Sequence, residues 1–304
     1  MDKLSDIGTI KRMLTKYGFN FSKTLGQNFL INPSVCPKMA ESCGIEENTG
    51  VLEVGPGIGV LTCELAKRAK KVVAVELDKR LLPVLNETLS EFENVKIINN
   101  DVMQMDLKKL LSEEFFGMNV VFCANLPYYI TSPILMKLLE ERLNLKAITV
   151  MVQKEAAQRI CAGVGNRKSG SISLAVNYYA EPEILFFVKS GSFIPAPKVD
   201  SSVIRLNIRK NPACEVFNEK LLFRIIKVSF LQRRKTVINA LSNNLNLPKE
   251  TLLQAFDELE IDLKSRAENL TLEQFAILTN FLYENGLVWI LHTWKSYILT
   301  FYDK

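Results

Sequence analysis

Apolar and polar residues alternate in two rhythms between about residue 30 and residue 155. Short apolar runs rich in β-branched side chains predict strands at Val51–Val54, Val72–Leu77, Val95–Ile98, Val120–Ala124 and Ile148–Val152. Stretches between them have helical spacing, at Leu61–Lys70, Lys79–Phe92 and Pro133–Glu141. Because strands alternate with helices, the pattern predicts a parallel sheet covered on both faces.

The pattern changes after about residue 180. Two further strands are predicted at Glu183–Val188 and Ser201–Ile208, joined by a glycine- and proline-containing loop around Gly191–Pro197. From Phe217 onward the spacing is helical, and it predicts helices at Leu221–Leu231, Lys235–Asn243, Lys249–Leu259 and Leu272–Tyr283. Residues 4–20 predict a basic helix and a turn that precede the sheet.

We therefore expect three parts in the chain. Residues 1–210 form a sheet domain with a basic N-terminal segment, and residues 211–285 form a small helical domain. Residues 286–304 are an apolar tail that holds both tryptophans and the one histidine of the protein. Its apolar stretch is short and is interrupted by His292 and Lys295, which disfavours a membrane span. We expect a packed terminal helix there, while a membrane or partner contact and a sequence artefact stay open.

Composition narrows the class of protein. The 304 residues are 48% hydrophobic and 23% charged, as in a globular protein with a sizeable core. The net charge of +5 and the basic residues between Met1 and Lys38 fit a polyanionic partner without requiring one. The six cysteines include no C-x-x-C pair, so we expect reduced thiols in a cytoplasmic protein and no zinc site. The single histidine, His292, disfavours a mechanism that needs a histidine base.

A ligand site is predicted where the first strand, Val51–Val54, runs into Gly55-Pro56-Gly57-Ile58-Gly59. A strand, a glycine turn and a helix start let the backbone approach a ligand closely. Glu76 ends the next strand, where a carboxylate can accept both hydroxyl protons of a ribose, and Asp101 follows the third, where it can bind an adenine amine. These groups predict a nucleoside ligand, but they do not separate a dinucleotide from S-adenosylmethionine.

Asn125-Leu126-Pro127-Tyr128, after the fourth strand, favours methyl transfer. The exocyclic amine of adenine is a poor nucleophile because its lone pair is delocalised into the ring. The Asn125 amide oxygen and the carbonyl of Leu126 or Pro127 can each accept one amine proton, which frees the lone pair to attack. Pro127 fixes its own φ, and Tyr128 can stack on a flipped base. Positioning then supplies most of the catalysis.

These residues belong to a wider set of motifs. The chain resembles the ribosomal RNA small-subunit adenine dimethyltransferase family, of the KsgA/RsmA type. The segments that carry the resemblance are Leu25–Leu30, Glu53–Gly59, Asn125–Ile130, Val152–Glu155, Phe193–Ser201, Gln232–Thr236 and Ser265–Leu270. The match covers roughly residues 15 to 283, and the tail falls outside it.

The resemblance implies an α/β, Rossmann-like class I methyltransferase sheet, mostly parallel with the last strand antiparallel, followed by a helical RNA-binding domain. It implies that S-adenosylmethionine, with no metal, is held by Asn28, Leu30, Gly55, Gly57, Glu76, Asp101 and Asn125. The implied substrate is a pair of adjacent adenosines in a hairpin near the 3′ end of 16S rRNA in the 30S subunit. Each adenosine receives two methyl groups on N6 during ribosome biogenesis. We expect a cytoplasmic monomer without a membrane contact.

Two further features are assigned from their surroundings. Phe193 lies in a loop before two prolines, and we expect a partly exposed ring that stacks on the base face opposite Tyr128. A core phenylalanine is the alternative. The clusters Arg167-Lys168 and Arg233-Arg234-Lys235 are either phosphate contacts or solvated faces.

Three other functions stay open at this point. The macrolide-resistance methylases modify an adenine of 23S rRNA with the same Asn28-to-Tyr128 machinery, although Pro195–Ser201 and Gln232–Thr236 fit the small-subunit group better. A nicotinamide oxidoreductase could use the glycine turn and Glu76, but the lack of a proton-relay histidine counts against it. A ribosome-assembly factor without essential catalysis is the third.

Overall fold

The computed structural model describes residue 4 and residues 6–18, 28–163, 165–245 and 247–286. Part of one motif, Leu25–Gln27, lies outside the described residues, as does the tail from residue 287 onward. The strands in chain order are β1 Phe29–Leu30, β2 Thr49–Val54, β3 Lys71–Glu76, β4 Val95–Asn99, β5 Asn119–Asn125, β6 Ala147–Gln153, β7 Ala180–Val188, β8 Phe193–Ile194 and β9 Ser201–Ile208.

The α-helices in chain order are α1 Ile7–Lys16, α2 Val35–Glu41, α3 Val60–Ala66, α4 Leu82–Thr88, α5 Leu107–Glu114, α6 Thr131–Glu140, α7 Lys154–Ile160, α8 Ser171–Tyr179, α9 Glu219–Leu231, α10 Val237–Leu245, α11 Lys249–Glu258 and α12 Leu272–Glu284. All five strands and all four helices predicted before residue 155, the basic N-terminal helix included, have a counterpart among them. The predicted helix Lys79–Phe92 is a 3-10 turn, Lys79–Leu81, followed by α4.

Seven strands form one sheet in the order β4-β3-β2-β5-β6-β9-β7. The first five strands in this order run parallel to one another, and β9 pairs antiparallel with β6. The predicted mostly parallel sheet with an antiparallel last strand is therefore confirmed. The sheet centre is apolar because β2, β3 and β5 are buried on both faces. A separate antiparallel pair, β1 with β8, lies outside this sheet.

Four helices were not predicted: α2, α5, α7 and α8. They have seven to nine residues each, so few turns show the helical period. One of them had a readable start signal, because the Asp106 side chain accepts from the Lys109 amide at 2.9 Å and caps α5.

The chain divides into two compact units, and each unit is built from two separate segments of the sequence. The first contains residues up to Ala157 together with Glu181–Ile208, and the second contains Gln158–Ala180 together with the residues from Arg209 onward. The helical domain expected from the sequence, residues 211–285, therefore lacks one segment of the second unit, Gln158–Ala180, which carries α8.

Aromatic packing holds α8 to the other helices of the second unit. The Phe223 ring on α9 lies edge-on to Tyr178 at 5.3 Å and stacks on Tyr179 at 5.5 Å, measured between ring centroids. Phe256 on α11 and Phe275 on α12 are fully buried. Among the described residues, no helix has the length and hydropathy needed to cross a bilayer.

The sheet unit allows a test of core packing at Gly50 on β2. A Cβ built at Gly50 would lie 2.2 Å from Cδ1 of the buried Phe115 ring, so that ring would have to move. We expect Gly50→Ala to destabilise the sheet unit by about 1–3 kcal/mol through overpacking. Thermal unfolding measures the effect. Gly191→Ala, where a Cβ meets nothing within 4 Å, should leave the Tm unchanged, and equal Tm values for the two variants would contradict the packing.

Candidate active site

One cleft of the sheet unit brings together every residue predicted for the site. It opens above the carboxyl ends of β2, β3, β4 and β5, and its volume is about 1120 Å³ with the open mouth included. The predicted residues that line it are Asn28, Leu30, Gly55, Gly57, Glu76, Asp101, Asn125, Leu126, Pro127, Tyr128 and Phe193. Parallel strands end at one sheet edge, which is why segments distant in sequence meet there.

The glycine turn after β2 forms the floor of the cleft. Gly55 has φ +69° and Gly57 has φ +62°, a left-handed region that side chains other than glycine rarely adopt. The Gly55 amide donates to the Val75 carbonyl at 2.9 Å, which ties the turn to β3. A Cβ at Gly55 would meet nothing within 4 Å, so the space beside it is open to a ligand, whereas one at Gly57 would come within 3.1 Å of the Phe29 ring.

Two carboxylates stand beside this turn. Glu76 is 6% exposed and accepts from the Gly57 amide at 3.3 Å and the Asp78 amide at 2.8 Å. Burial raises the pKa of Glu76 above its ordinary value. Asp101 accepts from the Met103 amide at 2.9 Å through Oδ1, and no hydrogen bond to its Oδ2 is seen among the described residues. Both side chains are thus held by backbone donors and keep lone pairs for a ligand.

The order of these groups follows the order of the strands. Asp101 follows β4, Glu76 ends β3, Gly55 follows β2 and Asn125 ends β5. Neighbouring strands lie about 4.8 Å apart, so the groups span roughly 14 Å along the sheet edge. That length suits an adenosine bound at Asp101 and Glu76, with an amino-acid extension that passes Gly55 toward Asn125.

The transfer loop, Asn125–Tyr128, closes the end of the cleft beyond Gly55. The Pro127 carbonyl accepts from the Ile130 amide at 3.1 Å and from the Thr131 hydroxyl at 3.3 Å, so both of its lone pairs are engaged. No hydrogen bond to the Leu126 carbonyl is seen among the described residues. Of the two carbonyls left open by the sequence, the structure favours that of Leu126 as a proton acceptor.

Tyr128 is anchored at its far end. Its ring is half-buried, and its hydroxyl lies 2.8 Å from the hydroxyl of Ser201, the first residue of β9. Burial raises the pKa of Tyr128, so its hydroxyl is protonated at neutral pH. Ser201 ends the Phe193–Ser201 motif, but nothing in its local pattern indicated a contact with Tyr128.

The Phe193 ring is 4% exposed, so the expectation of a partly exposed ring was wrong. β8 pairs with β1 so that Phe193 lies opposite Leu30, and both belong to the same buried cluster. The expectation failed because the strand pairing that covers the ring involves a segment more than 160 residues away. Phe193 still lines the cleft, so its role in stacking stays a prediction.

Glu53 lines the cleft and was given no role by the sequence reasoning. It is 1% exposed, and its Oε2 is buried with no hydrogen-bond partner among the described residues. Burial raises the pKa of Glu53 to about 8. An unpartnered carboxylate oxygen beside the glycine turn fits a ligand that carries an ammonium group. The available signal was an acidic residue in an otherwise apolar buried strand.

The two basic clusters predicted from the sequence lie together in the helical unit. The Arg233 guanidinium donates to the Arg167 carbonyl at 2.8 Å and to the Ser169 carbonyl at 3.3 Å. Arg233 thus holds the loop that carries Lys168, while Arg234 and Lys235 are exposed. No group of three or more metal-ligating side chains is found within the described ranges.

Comparison with known proteins identifies the family. The sequence pattern of the family described as ribosomal RNA adenine dimethylase matches residues 18–284. This chain belongs to the ribosomal RNA adenine dimethylase family. A relative named ribosomal RNA small subunit methyltransferase A from Geobacillus sp. (strain WCH70) is 48% identical over 90% of this chain and 96% of its own length. A protein of the same name from Bacillus licheniformis is 49% identical, over 90% of this chain and 95% of its own.

Solved structures of related proteins share the fold of this dimethylase-family chain. A dimethyladenosine transferase from Plasmodium falciparum superposes with a TM-score of 0.71 at 26% identity, over 85% of this chain and 98% of its own. The 23S rRNA methyltransferase ErmE gives a TM-score of 0.63 at 26% identity, over 83% of this chain and 98% of its own. The class I methyltransferase fold expected from the sequence is therefore confirmed.

Glu53 makes the stability of the ligand-free protein depend on pH. Its folded pKa lies above the ordinary 4.5, so folding favours the protonated form. Its contribution to stability is full below about pH 4.5 and is lost as the pH rises to about 8. We expect Glu53→Gln, which does not titrate, to gain Tm relative to the parent protein across that window and to level off above it. The exposed Glu93→Gln is the control, and a Tm difference independent of pH would contradict the burial of a titrating Glu53.

Proposed function

We propose that this protein transfers methyl groups from S-adenosylmethionine to the N6 amine of adenosines in small-subunit ribosomal RNA. The observation that carries the proposal is the placement of the Asn125–Tyr128 loop on the same cleft as the glycine turn and Glu76. Membership of the dimethylase family and the names of relatives at 48–49% identity support the substrate. The proposed target is a pair of adjacent adenosines near the 3′ end of 16S rRNA, each dimethylated in the 30S subunit.

The assignment of S-adenosylmethionine as the cofactor rests on side chains that match the parts of that molecule. The Asp101 carboxylate accepts a hydrogen bond from the adenine amine. The Glu76 carboxylate, already held by two backbone amides, accepts hydrogen bonds from the ribose hydroxyls. Asn28 and Leu30 line the same cleft, and Glu53 offers a buried oxygen to the ammonium group. When bound, the cofactor supplies a methyl group made electrophilic by its sulfonium. No metal is needed for this chemistry.

The acceptor amine is activated by the transfer loop. The Asn125 amide oxygen and the Leu126 carbonyl each accept a hydrogen bond from one N6 hydrogen, which draws the lone pair out of conjugation with the ring. The Pro127 carbonyl does not take part because the turn to Ile130 and Thr131 occupies it. Fixed acceptors of this kind act by orientation and electrostatics, which can supply several kcal/mol of the barrier reduction.

The target base is held by two aromatic walls. Tyr128 presents one half-buried ring, and Phe193 lies at the wall formed by β1 and β8. An adenine flipped out of its hairpin stacks on these rings while its amine reaches Asn125. No strong base is required, because the N6 proton becomes acidic only after methyl transfer. The one histidine of the chain, His292, lies outside the described residues.

Binding of the ribosomal particle is assigned to the helical unit, in which the expected helical domain, residues 211–285, is joined by the segment Gln158–Ala180. Arg167-Lys168 and Arg234-Lys235 meet in one region of the helical unit, which favours phosphate contact over separate solvated faces. These contacts supply affinity without reading sequence. The proposed state of the protein is a cytoplasmic monomer that acts in ribosome biogenesis.

The choice of particle is tested directly. We expect incubation with S-adenosylmethionine and unmethylated 30S subunits to add methyl groups to two adjacent adenosines near the 3′ end of 16S rRNA, mapped by mass spectrometry. Isolated 50S subunits serve as the comparison, because ErmE, a structural relative, is named for 23S rRNA. Methylation confined to 23S rRNA would instead assign the macrolide-resistance reaction.

The transfer loop is tested by Asn125→Ala. Loss of a fixed proton acceptor should lower kcat at saturating S-adenosylmethionine by about 100-fold or more, in the range of lost oxyanion-hole donors. Binding to 30S particles, measured by co-sedimentation, should change little. Asn119→Ala at the exposed opposite end of β5 is the matched control. Normal turnover by Asn125→Ala would remove Asn125 from the reaction and favour a non-catalytic assembly factor.

A further inference from the structure

The connection from β7 to β9, residues 189–200, touches both halves of the cleft. Its β8 residues pair with β1, which carries Leu30 of the cofactor half. The Ser192 carbonyl accepts from the Ile31 backbone amide at 2.9 Å, and the Ser192 hydroxyl accepts from the Asn32 side-chain amide, Nδ2, at 3.2 Å. The connection is therefore bound along one side to the segment that holds the cofactor.

The two ends of this connection are tied to each other by Asp200. Its carboxylate accepts from the Ser190 amide at 3.0 Å and from the Lys189 ammonium at 3.1 Å, and these bonds lower the pKa of Asp200. The backbone carbonyl of Asp200 accepts from the Lys154 backbone amide at 3.0 Å. The next residue, Ser201, is fully buried and pairs with Gln153 in the β6–β9 ladder. Ser201 is thus a rigid point at the end of the connection.

Ser201 places its hydroxyl 2.8 Å from the Tyr128 hydroxyl. The Tyr128 backbone belongs to the transfer loop, so the ring is held at one end by the loop and at the other by the sheet. A tyrosine ring turns about only two side-chain torsions. Its hydroxyl lies on the axis of the second torsion, so a bond there holds the first torsion, which sets where the ring points. The place and direction of the ring are then set before any base arrives.

We propose that Ser201 is a positioning residue, which fixes the place and direction of the Tyr128 ring on which the target adenine stacks. The inference rests on the proposed function, since it assumes that Tyr128 receives the base. Through Ser201 at one end and Phe193 in its middle, the β7–β9 connection sets both aromatic walls of the base site. A ring free to swing about its first torsion would hold the amine less often in line with the methyl group, so kcat falls more than cofactor affinity does.

The chain offers a matched control at the neighbouring position. Ser202 is also fully buried and pairs with Val152 in the same ladder, but its hydroxyl has no hydrogen-bond partner among the described residues. Ser201→Ala and Ser202→Ala therefore remove the same atom from adjacent buried sites of one strand. Only the first removes a bond to Tyr128.

The test is a double-mutant cycle on the full chain with unmethylated 30S subunits. Ser201→Ala and Tyr128→Phe remove the two partners of one bond, so each should lower kcat by about three- to tenfold, the worth of one hydrogen bond. The double variant should lose no more than the worse single variant, because the bond can be lost only once. The Kd for S-adenosylmethionine, from calorimetry, should stay within about twofold of the parent, and Ser202→Ala should keep the parent kcat.

Two results would overturn the proposal: equal kcat values for Ser201→Ala and Ser202→Ala, or losses that multiply in the double variant. If Ser201→Ala does not fold, Tyr128→Phe removes the same bond from the loop side, and unchanged kcat there also overturns it. Tyr128→Ala separates this inference from the proposed function. Full activity of Tyr128→Ala would remove Tyr128 as the base platform, whereas inactive Tyr128→Ala with fully active Ser201→Ala rejects the positioning role alone.

Discussion

The parallel pairing of β2 with β3 on one side and β5 on the other is the constraint on which the site depends. Val51 lies opposite Val72 and Val121, and this register continues to the carboxyl ends of the strands. Because the strands run the same way, the glycine turn, Glu76 and Asn125 emerge at one edge. A slip of one residue would turn every side chain to the other face of the sheet.

Burial of polar groups at this edge opposes stability and serves ligand binding. Glu53 and Glu76 are almost completely buried, and burial raises both of their pKa values. Glu76 is compensated by backbone donors, while one oxygen of Glu53 lacks a partner. Uncompensated buried polar atoms are uncommon in folded proteins, and their presence in a cleft is typical of a site that a ligand completes.

The acceptor end of the cleft depends on segments that are far apart in the chain. Leu30 and Phe193 meet through a two-residue strand pair, and Tyr128 meets Ser201 through one hydrogen bond. The β7–β9 connection joins these contacts, so the cofactor half and the base half share one support. Catalysis by positioning needs such a support, because small displacements of the base change the frequency of in-line geometry.

The sequence by itself determined the alternation of strands and helices, the glycine turn after the first strand and the acidic residues at the ends of the next two. Those features are local, since periodicity, glycine φ requirements and strand ends are set within a few residues. Tertiary structure alone decided that Phe193 is buried, that Ser201 holds Tyr128 and that α8 joins the helical unit. Each of those depends on a contact between residues whose local patterns contain no information about the partner.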